Sequence, residues 1–241
     1  MSIIQSLKRK YATYKGGETY INYLRSQGIK IGKGCSVGVP ASTISIDCTR
    51  PYLVEIGDYV RLNKGLTIMT HDFSTMVFKT LYGELLASSG MVKVGNNVYF
   101  GQKCTVLKGV TIGDNCIIGY GSVVMKDIPA NSVAAGSPAK VICSLEDYYK
   151  KRQEKSLEEA LELARIIKEK KGRMPVPEDF KEEFVYFCSG DEVAKYPGIP
   201  IKYQLNALSK EDCYDRWGKN HKATFKSFED FLKAAGVYED C

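Results

Sequence analysis

The chain is expected to be mainly β, folded as a parallel β-helix with a loop leaving the coil, short helices before it and a helical extension after it. Three observations predict this. From Val94 to Val141 the sequence runs in six-residue units without a break: VGNNVY, FGQKCT, VLKGVT, IGDNCI, IGYGSV, VMKDIP, ANSVAA, GSPAKV. The first position of the first six units is always apolar (Val94, Phe100, Val106, Ile112, Ile118, Val124), and the fifth is mostly apolar or small. The same pattern occurs earlier in degraded form, over Ile31–Ser42 and again over Ile56–Phe73. A period of six is neither the 2 of a free strand nor the 3.6 of a helix. With an apolar lead residue it marks a coil of short strands and tight turns, stacked so that each turn buries its neighbours' inner face.

Residues 1–28 read as an N-terminal helical segment. Ile4, Leu7 and Tyr11 share one helical face, and a second helix over residues 19–27 ends at Gly28. Residues 29–143 then form the coil, whose lead residues point inward. Glycine follows the lead at Gly95, Gly101, Gly113 and Gly119 and is expected to supply backbone freedom at the turn. Over residues 74–93 the hexapeptide spacing disappears, which predicts a loop thrown out from a corner, without structure of its own and of functional use. Residues 144–241 form a helical extension. Ser144 with Asp147, and Ser156 with Glu159, have the spacing of helix N-caps. Leu157, Ala160, Leu161, Ala164 and Ile167 make one apolar stripe that ends near Gly172. Pro175, Pro177, Pro197 and Pro200 break the next region into shorter pieces, and a last amphipathic helix covers Phe228–Ala235. This extension either packs on the open end of the coil or takes part in acceptor or partner recognition.

Composition suits a soluble, cytoplasmic protein. At 241 residues, 44% hydrophobic and 26% charged, the chain can bury a sizeable core. No stretch approaches the roughly 20 apolar residues of a membrane span. The first residues place their charges after a short apolar patch, the reverse of a signal peptide. Eight cysteines are scattered with no CxxC pair, and Cys35, Cys104 and Cys116 fall inside hexapeptide units as small apolar fillers, so all are expected to be reduced. The net charge of +6 is uneven: residues 1–143 carry sixteen basic and eight acidic side chains, the remainder eighteen and twenty. A positive coil suits a polyanionic small molecule, while the lack of a basic stripe interleaved with aromatics argues against nucleic acid.

Four features together resemble the left-handed β-helix acyltransferases, in the branch of maltose, galactoside and polysaccharide O-acetyltransferases. They are the hexapeptide run, LTIMTHD at Leu66–Asp72, the loop after it, and VTIGDNCIIGYGSVVMKDIPANSVAAGSPAKVI at Val110–Ile142. The resemblance covers residues 29–143 and leaves the 98-residue tail outside. It implies left-handed connections, against the usual right-handed rule. It also implies acetyl-CoA as co-substrate, no metal, and a homotrimer whose donor groove is shared between neighbouring subunits, closed by identical heterologous contacts.

Acyl transfer from a thioester to a hydroxyl needs a base for the hydroxyl proton, and histidine is suited to that near neutral pH. There are two histidines. His71 closes a coil face just before the loop, where the family places its catalytic histidine; His221 sits in the mixed segment RWGKNHKATF and reads as a surface residue. The family's mechanism is direct attack in a ternary complex, with the oxyanion held by backbone N–H groups of a neighbouring coil. Asp72 is expected either to bind the acceptor or to cap the turn, and Asp47, on the preceding coil, to bind the acceptor. Alignment of the terminal segment places donor contacts at Gln102, Tyr120, Met125, Lys126 and Lys140, the two lysines meeting the phosphates as point charges. Lys140 stands where arginine is common in the family, and Cys143 where a further basic residue is common, so bidentate pairing is lost.

Other readings use the same coil. N-acetylation of an amino sugar, or an antibiotic-modifying acetyl transfer, needs no change of machinery, whereas a structural β-helix module would need neither His71 nor the SPAK segment. A γ-class carbonic anhydrase would need three zinc-binding histidines where this coil has one. An acyl-cysteine route lacks a histidine near any cysteine in sequence.

Overall fold

In the computed structural model, which describes residues 3–206 and 213–238, the chain divides into two compact units, Met1–Tyr148 and Tyr149–Cys241. The first opens with helices α1 (Ile3–Lys15) and α2 (Gly17–Ser26). Short strands come next: β1 (Lys30–Ile31), β2 (Ser36–Val37), β3 (Ser45–Ile46), β4 (Val54–Ile56), β5 (Arg61–Leu62) and β6 (Thr67–Ile68). After helix α3 (Thr75–Tyr82) come β7 (Val92–Val94), β8 (Tyr99–Phe100), β9 (Thr105–Val106), β10 (Thr111–Ile112), β11 (Ile117–Ile118) and β12 (Val123–Val124). A hairpin, β13 (Ser132–Gly136) and β14 (Ala139–Ser144), ends the unit's strands.

These strands build three parallel faces: β1-β4-β7-β10, then β2-β5-β8-β11 continued by the hairpin, then β3-β6-β9-β12. Ile112 pairs with Val94, so one turn of the uninterrupted coil takes eighteen residues, three hexapeptide units. The lead residues stack inward as expected. Phe100, Val106, Ile118 and Val124 have no exposed surface, and Val94 and Ile112 are only 4% and 1% exposed. Each inner column is therefore a ladder of aliphatic and aromatic side chains whose burial drives the winding.

The glycines after the lead residues have a different task from the one expected. None of Gly95, Gly101, Gly113 and Gly119 has a positive φ. A Cβ at Gly101 would lie 2.5 Å from the backbone N of Tyr120 on the next turn, so glycine is needed for close approach of successive coils. The left-handed conformation falls two residues later, at Asn97, Lys103 and Asn115. Asparagine tolerates that conformation better than most side chains. Here it also forms a ladder, with Asn97 donating to Asn115 (2.9 Å) and Asn115 to Asn131 (3.0 Å).

Two other expectations are corrected. The segment after His71 contains helix α3, closed by Gly83 in the left-handed conformation. Ser156 does not start a helix: α4 (Leu145–Lys171) runs through it without a break, capped at its start by Ser144, whose Oγ accepts from the Asp147 N–H at 3.0 Å. The Ser156 hydroxyl instead accepts from the Tyr186 hydroxyl at 2.6 Å. On α1, Leu7 and Tyr11 are about three-fifths exposed and, among the described side chains of this helix, only Ala12 is buried; the Ile4 side chain lies outside the described residues.

The second unit has its own core. Ala160, Ala164 and Ile167 of α4 are buried with Phe180, Phe184, Phe187, Phe231 and Leu232. Short helices α5 (Ile201–Asn206) and α6 (Cys213–Asn220) precede α7 (Phe228–Ala234), which Ser227 caps through the Asp230 N–H. Among the described residues no helix is long and apolar enough to cross a membrane, and the described cysteines are free thiols.

Candidate active site

The third face ends, on each turn, in a residue that starts the corner toward the first face. These residues stack: the Asp47 N–H donates to Ile68 O and the Met69 N–H to Val106 O, at 3.1 and 3.0 Å, so neighbouring coils are in register along this edge. Asp47 leaves β3 here, and His71 leaves β6 one coil on. The coil thus brings together two residues 24 apart in sequence: His71 Nδ1 lies 2.6 Å from Asp47 Oδ2. The His71 side chain is 18% exposed and that of Asp47 9%, so the pair is largely shielded and the ring keeps one accessible side.

Asp47 is held from several directions. Its Oδ1 accepts from the Thr49 N–H (2.9 Å) and hydroxyl (2.6 Å), and its Oδ2 also accepts from the hydroxyl of buried Thr70. Burial pushes this carboxyl up, but the hydrogen bonds from Thr49, Thr70 and His71 outweigh it and hold the group below the usual carboxylate range. An ionised carboxylate can only accept, so Nδ1 carries a proton, and the tautomer of a neutral ring that fits this contact has its lone pair on Nε2. Among the described residues nothing hydrogen-bonds Nε2. Phe73 packs its ring edge-to-face with the imidazole, at 5.4 Å between centroids. The imidazole is thus held through Nδ1 at the coil edge.

Asp72 does not share this pair. Its Oδ1 accepts from the Ser74 N–H at 2.9 Å, capping the turn, and its Oδ2 meets the Ser88 hydroxyl and the Lys108 ammonium. Lys108 holds the carboxyl well below its ordinary range. His221 is partly buried: its Nε2 lies 2.6 Å from Val185 O, and its ring stacks on Trp217 at 4.7 Å. It therefore serves the packing of the second unit, where a surface position was expected.

The residues expected to contact a donor border the same third face from its two edges. Gln102 and Tyr120 follow β8 and β11 and are stacked, the Gly121 N–H donating to Gln102 O at 2.9 Å. Tyr120 is exposed, with the Lys103 ammonium 5.7 Å from its ring centroid. Met125 and Lys126 follow β12 on the His71 edge, and Lys140 lies on β14 opposite Ala135; all three side chains are exposed. These groups lie along the edges of the third face and on the terminal hairpin. Thr70, Thr49, Ser88 and Lys108 carry no signal in the sequence. The 23 residues between β6 and β7 destroy the spacing that would have aligned Lys108 with Thr70.

A three-faced coil of hexapeptide turns is compatible with more than one activity, and comparison with known proteins narrows it to a class of transferase. The family model "Bacterial transferase hexapeptide (six repeats)" matches residues 91–126. Protein CapG of Staphylococcus aureus is 38% identical over 126 residues, covering 52% of this chain and 71% of that protein. Galactoside O-acetyltransferase of Escherichia coli (strain K12) is 44% identical over 98 residues, covering 40% of this chain but 46% of the relative. A solved maltose O-acetyltransferase from Clostridium difficile 630 is 28% identical, covers 59% of this chain and 89% of that one, and superposes with a TM-score of 0.39. The chain belongs to the hexapeptide-repeat acyltransferase family. The family model's match ends at residue 126, so the second unit lies outside it.

Proposed function

We propose that this protein is an acetyl-CoA-dependent O-acetyltransferase acting on a hydroxyl of a sugar or polysaccharide-type acceptor, built as a left-handed coil from which residues 74–93 leave as a loop beside the site. The observation that carries the reading is the His71–Asp47 pair at 2.6 Å on a coil edge. The relative named as a galactoside O-acetyltransferase supports a sugar hydroxyl as the acceptor. The exposed lysines Lys126 and Lys140 suit the phosphates of acetyl-CoA, and neither forms an ion pair among the described residues.

His71 Nε2 takes the proton of the acceptor hydroxyl as its oxygen attacks the thioester carbonyl. Acetyl-CoA, when bound, supplies that activated carbonyl. Asp47 keeps the ring in the tautomer that can accept and stabilises the imidazolium that forms. His71 then returns the proton to the departing thiolate, so the C–O bond is made, the C–S bond broken, and no charge is left on the protein.

The test is CoA release by recombinant protein against a panel of hydroxylated and amino sugars. His71→Ala should lower kcat by about 10²–10⁴, the usual contribution of a positioned base. Acetyl-CoA binding, measured by calorimetry, should survive, because the donor groups lie on later coils. His221→Ala, provided the second unit stays folded, should keep near wild-type turnover. Near wild-type turnover in His71→Ala would remove this residue from the chemistry, and preference for amino sugars would move the reading to N-acetylation.

A further inference from the structure

The segment that follows His71 has no core of its own. Phe73, Met76, Val77, Leu81, Leu85 and Leu86 are each more than half exposed, and no residue of α3 is buried. Its direction is therefore set where it leaves and rejoins the coil, and that point adjoins the proposed base. We infer that Asp72, Ser88 and Lys108 form a clamp that fixes this segment as a wall of the acceptor site, so that Lys108 is a positioning residue for acceptor affinity. This rests on the acetyl-transfer reading above.

The geometry is that of two feet tied to a third point. Asp72 stands at the outgoing foot and Ser88 at the returning one. The Ser88 hydroxyl donates to Asp72 Oδ2 at 2.9 Å, and the Asp72 N–H donates to Ser88 O at 3.3 Å. The ladder continues beside them, with His71 and Ser89 in an antiparallel bridge and the Gly90 N–H donating to Thr70 O at 2.9 Å. Lys108 belongs to the following coil, just after β9, and its Nζ donates to both Asp72 Oδ2 and the Ser88 Oγ. One ammonium thus fastens both feet to a rigid rung. The fit leaves no slack: a Cβ on Gly90 would come within 2.7 Å of the Gly109 backbone N, next to Lys108. Farther out, Thr75 Oγ1 accepts from the Leu86 N–H at 3.0 Å and ties α3 to the returning limb of the segment.

Lys108 and Asp72 are each about one-third exposed, so the ion pair adds little to global stability. Its effect is local order, since a segment with few buried contacts opens independently of the core. Loosening the clamp should therefore change acceptor binding while the donor groups on the later coils stay in place.

The experiment combines hydrogen–deuterium exchange with kinetics in Lys108→Met and Lys108→Arg, the second keeping charge and reach. Exchange of residues 73–91 should rise about fivefold in Lys108→Met and return toward wild type in Lys108→Arg, with the unfolding midpoint unchanged in both. CoA release is then followed with the best acceptor among methyl β-galactoside, methyl α-glucoside, maltose and N-acetylglucosamine. In Lys108→Met the KM for that acceptor should rise by about fivefold while the KM for acetyl-CoA stays within about twofold. Unchanged exchange, or raised exchange with an unchanged acceptor KM, would overturn the clamp. Wild-type protein that releases CoA with none of these acceptors would overturn the acetyl-transfer reading instead, and the exchange of residues 73–91 would still decide whether Lys108 holds the segment.

Discussion

Asp47 sets what His71 can do, because one of its oxygens accepts from Nδ1 while Thr49 and Thr70 hold the carboxylate in place. Removing its charge leaves the imidazole present but free to turn and to protonate at the wrong nitrogen. Asp47→Asn is therefore expected to lower kcat by about 10²-fold, the scale of a misplacement near 1 Å, and to leave the acetyl-CoA KM nearly constant. Steady-state kinetics with both substrates varied would check this, and an equal loss in both constants would contradict a positioning role. The two members of the pair are not equally legible in the sequence. His71 stands out because only two histidines exist and one falls in LTIMTHD. Asp47 can be placed on the preceding coil, but a degraded repeat conceals that one turn here takes 22 residues, with Ile46 opposite Ile68, so that His71 falls two residues beyond the register of Asp47. Thr70 is hidden by its ordinariness: a threonine beside a histidine carries no signal until the fold buries it against a carboxylate.

The corner ladder and the second unit's α4 terminus are the elements whose energetics can be read most directly. Asn115 combines a φ of 55° with hydrogen bonds to Asn97 and Asn131. Asn115→Ala loses both bonds and forces a Cβ-bearing residue without side-chain compensation into the left-handed region, so it should cost about 1–3 kcal/mol in chemical denaturation. Asn115→Gly loses the bonds but not the backbone freedom and should cost less than the alanine variant. Equal costs in the two variants would make the ladder, and not the conformation, the source of the effect. In the second unit Arg173, Lys171 and the Val176 N–H converge on Asp179, and the Arg173 guanidinium first among them holds its carboxyl well below the usual range. A carboxyl depressed in the folded state contributes stability that is fully present above its unfolded pKa of about 3.9 and is lost as pH falls below it. Trp217 is the chain's single tryptophan and lies in this unit. Its fluorescence in urea titrations should therefore report a midpoint that falls below about pH 4 in wild type and falls less in Asp179→Asn. The coil itself is legible because its period is written in every turn. The continuity of α4 is not, since Ser156 followed by Glu159 has the spacing of a cap and only the Tyr186 hydroxyl, 30 residues away, reveals a different partner. The helix α3 escapes a sequence reading for a related reason: eight residues with no buried face give no pattern to find.

At the scale of the whole molecule, the residues proposed to contact the donor lie along the edges of the third face and on the terminal hairpin, which suits the proposed groove shared between subunits. The expected assembly is a homotrimer, and light scattering should give a mass near three times the 26.9 kDa chain. A monomer at micromolar concentration would remove the shared groove. The charge distribution leads to the same place, since the excess of positive side chains lies in residues 1–143 while the remainder is slightly acidic. Lys126 sits on the His71 edge of the third face and Lys140 on the terminal hairpin, both exposed and neither in an ion pair among the described residues. With no ion pair to lose among the described residues, removal of either charge should be felt in binding and not in stability. Removing one charged hydrogen bond to a phosphate costs roughly 1–3 kcal/mol. Lys140→Ala should therefore weaken acetyl-CoA binding by about five- to a hundredfold at low salt, with kcat at saturating donor almost unchanged. Because the contact is exposed, screening should shrink the difference between variant and wild type as salt rises. Calorimetric titration at two salt concentrations tests both claims. An unchanged Kd at low salt would move the donor groove off this face, whereas a loss that persisted undiminished in high salt would mean that Lys140 acts through packing of the β13–β14 hairpin and not through its charge.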